Sequence, residues 1–81
     1  MQSQHPRIMR NGRLVSAKRA VELALLSDVD LLRRMTIACD MCITLDTVER
    51  EFGWVWRGHE RTHWPLLYED YCQEAIARGL L

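Results

Sequence analysis

Two short pairs of residues in this chain have types and spacing that could do chemistry. Cys39-Asp-Met-Cys42 comes first and His59-Glu-Arg-Thr-His63 follows. Zinc takes four soft or borderline ligands in a tetrahedron, and a two-residue spacer lets two thiolates hold one ion. Cys39, Cys42, His59 and His63 therefore form a candidate metal set for a zinc-stabilised Cys2His2-like module. The spacer between the pairs, residues 43–58, exceeds the roughly 12–15 residues usual for that pattern. A second reading competes. Cys39 and Cys42 continue an apolar helical stripe, where free cysteine behaves as a small hydrophobe. They also fall toward the end of the expected helix, where the negative dipole disfavours thiolate.

Between and beside the pairs lies a segment rich in interface chemistry. Trp54, Trp56, Arg57, His59, Arg61, His63 and Trp64 fall close together. Trp and Arg dominate binding hot spots. Flat Trp and His faces also stack on bases, and Arg meets phosphate or guanine. A second basic group precedes the first acid, Glu22: Arg7, Arg10, Arg13, Lys18 and Arg19. A basic arm on a body of zero formal net charge suits phosphate contact, and it equally suits a solvated face.

These residues need elements to position them. At 81 residues the chain makes one domain with a modest core. Residues 1–7 read as a flexible tail and 8–81 as a single helical domain. Asn11-Gly12, between short apolar–basic runs, predicts a small N-terminal β-hairpin, because a type I′ turn needs positive φ at both central residues. Ser16 caps an expected helix from Ala17 to Leu26. Ser27 caps a second, with Leu31, Leu32, Met35, Ala38, Cys39 and Cys42 on its inner face and Arg33, Arg34 and Asp40 in water. A third helix is expected from Thr44 to Phe52, stopped by Gly53, with Leu45, Val48 and Phe52 buried. Residues 54–63 carry no clear period and read as an ordered loop or a single turn. A fourth helix starts with Pro65 in its first turn and stops at Gly79, burying Leu67, Tyr68, Tyr71, Cys72, Ala75 and Ile76. The fold class is thus mainly α: a compact bundle of about four short helices with a small hairpin.

Residues 43–53, Ile-Thr-Leu-Asp-Thr-Val-Glu-Arg-Glu-Phe-Gly, resemble the leading helix of helix-turn-helix DNA-binding domains. A β-branched lead-in, a capping Thr, a two-turn helix and a turn glycine carry the resemblance. It implies a recognition helix shortly after Gly53, formed by Arg57–Trp64 or by a helix beginning at Pro65. The latter would present Glu69, Asp70 and Glu74, which phosphate repels.

Enzyme signatures are missing: no glycine-rich phosphate loop, no Ser-His-Asp set and no nucleophile turn. Nothing approaches the apolar length of a membrane span. The apolar run from Ala20 to Leu26 is short and carries Glu22, so no secretory leader is expected. Three cysteines are an odd number for a disulfide framework. The expectation is a small cytoplasmic regulator without cofactor that acts by binding. Its contact surface would be the arm and segment 54–64, touching nucleic acid. Docking of a protein partner on the same Trp/Arg patch is the alternative, and association as a homodimer stays open.

Overall fold

The computed structural model describes residues 7–53 and 59–81, except for the side chains of 59–61. The order of elements is β1 (Arg7–Arg10), β2 (Arg13–Ser16), α1 (Ala17–Leu25), α2 (Asp28–Phe52) and α3 (His59–Ala77). The molecule is mainly helical, with a two-stranded antiparallel hairpin at its start. The expected flexible tail lies outside the described residues, apart from Arg7, which opens β1.

The hairpin forms where Asn-Gly predicts it. Asn11 and Gly12 take φ of 54° and 78°, the positive values a primed turn requires. Its register pairs Ile8 with Val15 and Arg10 with Arg13. Alternation along the strands puts Arg10, Arg13 and Val15 on one face, and Val15 is buried there.

Helix starts follow their caps. The Arg19 N–H donates to Ser16 Oγ at 3.1 Å, and the Asp30 N–H donates to Ser27 Oγ at 3.1 Å. Each satisfies one of the donors a helix start leaves open. Asp28 and Asp30 also place negative charge at the positive end of α2. α3 ends in a Schellman arrangement. The Leu80 N–H reaches Ala75 O at 2.8 Å, and the Gly79 N–H reaches Ile76 O at 3.0 Å. Leu80 then packs back on the core.

Three helices are described, not about four. The expected second and third helices are one 25-residue helix, α2. No Gly or Pro lies between Asp28 and Phe52, and a Thr inside a helix costs only a few tenths of a kcal/mol. The cap chemistry of Thr44 is therefore too weak to stop the helix. Leu45 is buried and Val48 half-buried, continuing the inner face. Gly53 does stop it, at φ 69°, with its N–H on Glu49 O. Phe52, expected inside, is 72% exposed.

α3 also departs from expectation. It begins at His59, so Pro65 lies inside it and part of the expected loop is helical. A proline there removes one intrahelical donor and crowds the preceding turn.

The core lies between α2 and α3. Leu23, Leu31, Met35, Ala38, Leu67, Tyr71 and Ala75 are buried together. Leu23 and Leu31, fully enclosed, each stabilise the fold by roughly 2 kcal/mol relative to exposure. Cys39, Cys42, Tyr68 and Cys72 sit half-buried at its margin, while Leu32 and Ile76 of the expected inner faces are exposed. Among the described residues no helix is long and apolar enough to cross a membrane.

Candidate interaction surface

Three arginines of the basic arm are held by acids of this chain. Arg10 donates to Glu74 from Nε to Oε1 at 2.7 Å and from Nη2 to Oε2 at 3.0 Å. Arg13 Nε donates to Asp70 Oδ1 at 3.0 Å. Arg19 reaches Asp70 Oδ2 and Glu22 Oε2, each at 3.5 Å. Asp70 and Glu74 are one helical turn apart on α3, so both point the same way. They meet the cross-strand pair Arg13 and Arg10, whose like charges would otherwise repel across the ladder.

Glu74 is the centre of this network and is only 4% exposed. Asn11 Nδ2 and Arg78 Nε donate to it as well, at 2.9 and 3.1 Å. The Arg10 hydrogen bonds, helped by Asn11 and Arg78, pull its carboxyl down to about 2 against the opposing effect of burial. Arg78 continues the network to Asp28 Oδ1 at 2.9 Å and to the Leu23 carbonyl at 2.7 Å. The ion pairs thus tie hairpin, α1, α2 and α3 together.

Sequence reasoning placed Glu74 and Asp70 on the wrong side of the argument, as a surface that repels phosphate. Two signals were present. Glu74 immediately precedes Ala75 and follows Tyr71 by three, so it borders the buried stripe of α3. The arginine excess of the hairpin and the acid excess of α3 are also matched in number.

The Trp/Arg/His segment is only partly described. Trp54, Trp56 and Arg57, and the side chains of His59 and Arg61, lie outside the described residues. Trp64 is half-buried against the core. His63 meets it edge-on, with ring centroids 5.2 Å apart. Arg7 and Lys18 are exposed and make no ion pair among the described residues.

Two open grooves among the described residues bear on binding. One, about 380 Å³, runs between α2 and the first half of α3. Trp64, Leu67, Tyr71 and Ile37 give it apolar walls, and Arg33 and Arg34 stand at its rim with Asp30. The Tyr71 hydroxyl donates to Glu22 Oε1 at 2.7 Å and is bonded by Arg34. Burial first, then the Glu22 bond, push the Tyr71 phenol up. The other groove, about 330 Å³, is bordered by Arg7, Arg13, Arg19 and His63 around Asp70.

Of the candidate metal set, the His59 side chain lies outside the described residues, and among the described residues no group of three His, Cys, Asp or Glu side chains is placed to hold an ion. Cys39 and Cys42 are free thiols at the edge of the α2–α3 core. Burial, then the nearby Cys39, push the Cys42 thiol up, away from the thiolate a metal needs. Cys72 comes across from α3, where its hydrogen bond to Tyr68 pushes that phenol up.

Comparison with protein-family models, with curated proteins and with solved structures gave no match. The functional reading therefore rests on the residues themselves.

Proposed function

We propose that this chain is a small cytoplasmic binding protein whose partner is another protein, seated in the groove between α2 and α3 and also contacting residues of the Trp/Arg/His segment 54–64. The observation that carries this reading is the pairing of Arg10, Arg13 and Arg19 with Glu74, Asp70 and Glu22. Arginines held by carboxylates give little to a phosphate backbone, because each new contact must first break an existing one. The groove supplies what a peptide or helix anchor needs: apolar walls from Trp64, Leu67 and Ile37, with arginines at the rim. No step of this function requires chemistry on the partner.

A second reading is contact with nucleic acid, in line with the resemblance of residues 43–53 to helix-turn-helix domains. The groove bordered by Arg7 favours it, since Arg7 makes no ion pair among the described residues, and the exposed Lys18 adds to that side.

Affinity capture with and without nuclease separates the two. A protein partner stays bound after nuclease, and Ile37→Glu in the groove, or Trp56→Ala with Arg57→Ala in segment 54–64, releases it. Capture that disappears with nuclease, with retention on heparin that falls steeply with salt, replaces the protein reading with the nucleic-acid one.

A further inference from the structure

We infer that α2 carries a second, self-complementary seam, through which two copies of this chain associate antiparallel. α2 has apolar residues on two faces. Leu31, Met35, Ala38 and Leu45 face the core. Val29, Leu32, Thr36, Cys39 and Ile43 follow one another at steps of three, four, three and four along a flank beside the core stripe. That alternation is the a/d spacing of a coiled-coil seam. Val29 is 64% exposed, Leu32 38% and Ile43 58%, and Cys39 is half-buried at the seam's inner edge. A helix with apolar residues beyond its core stripe is expected to cover them against something. The one hydroxyl in the seam is already satisfied, since Thr36 Oγ1 donates to the Leu32 carbonyl at 3.1 Å.

Charge selects the occupant. Arg33 and Asp40 are seven residues apart, so they flank the seam at the same heptad position. Both are exposed. Arg33 holds only a loose pair with Asp30, at 3.6 Å, and Asp40 makes no ion pair among the described residues. A two-fold axis at Thr36 sets Val29 of one copy against Ile43 of the other. The same axis brings each Arg33 beside Asp40 of the second copy, giving two ion pairs from one pair of residues. A parallel arrangement would offer Arg33 only Asp28, which Arg78 already holds at 2.9 Å, and would leave Asp40 unmatched. The seam is short, with five residues a side against the roughly 20–30 of a standard interface. The dimer is therefore weak.

Sedimentation equilibrium from about 10 to about 500 μM tests this. The expected mass rises from the 9.5 kDa of one chain toward twice that. Ile43→Glu is expected to hold the protein at the monomer mass with an unchanged helical spectrum, since the site is exposed. Arg33→Asp and Asp40→Arg each juxtapose like charges twice across the axis and are expected to weaken association about tenfold. Together they restore an opposite-charge pair and return it to within about threefold of the parent. A monomer mass throughout overturns the inference. So does a dimer that survives Ile43→Glu, or a double variant no tighter than either single one.

Discussion

Arg10 and Glu74 stand 64 residues apart in the chain and meet in a two-pronged ion pair, with contacts of 2.7 and 3.0 Å. The pair closes the fold: a hairpin at the start of the chain is fastened to its last helix. A two-stranded hairpin is marginal alone, so this one depends on Val15 in the core and on its arginines. Glu74→Gln leaves the guanidinium groups of Arg10 and Arg78 without their shared counterion, but these are 31% and 20% exposed, so the loss falls below the about 3–5 kcal/mol of a fully buried pair. The substitution is expected to lower unfolding stability by roughly 2 kcal/mol, read from urea titration. Arg33→Gln, which within one chain loosens an exposed pair, is expected to cost the dilute monomer less than about 0.5 kcal/mol.

The same carboxylate gives the fold a pH dependence of known sign. Its folded value is about 2 against an ordinary 4.5. A depressed carboxylate stabilises the fold fully above its unfolded value, and that stabilisation is lost as pH falls through the folded value. Stability is expected to drop between about pH 4.5 and pH 2, by an amount on the order of 2–3 kcal/mol from this group. Thermal melts across that range should show a shallower slope in Glu74→Gln. An equal slope in both proteins would mean that other carboxylates carry the acid sensitivity.

Local signals were legible in the sequence and long-range ones were not. Ser16, Ser27, Gly53, Gly79 and Asn11-Gly12 act where their chemistry says, because caps and turns are decided within a few residues. Thr44 misled because its capping preference is worth less than the continuing burial of Leu45. Pro65 misled because proline suits a first turn, yet the helix extends back to His59. The arginine–carboxylate network was invisible to local reading. Nothing near Arg10 announces Glu74, and only the balance of basic hairpin and acidic helix points to it.

Gly53 gives a clean test of the end of α2. Its φ is 69°, a conformation that costs an ordinary residue about 1 kcal/mol or more. A Cβ there would meet nothing within 4 Å, so the backbone alone carries the penalty. Gly53→Ala is expected to lower stability by about 1 kcal/mol, whereas Gly53→Asn should lose less, since Asn tolerates the left-handed region. Equal losses in both would show that the cap is not left-handed in solution.

The start of α3 is tested through its proline. Pro65 is exposed and lies inside a helix that runs from His59 to Ala77. It removes a backbone donor and crowds the turn before it, which costs up to about 3 kcal/mol in a regular helix interior. Pro65→Ala restores that donor without touching the core, so it is expected to stabilise the protein by roughly 1–2 kcal/mol and to raise its helical signal. If the helix instead began at residue 65, proline would sit in a first turn, where its fixed φ is favourable. The same substitution would then destabilise slightly. The sign of the change in melting temperature decides where α3 begins, and with it whether Thr62, His63 and Trp64 stand on a rigid helix beside the α2–α3 groove.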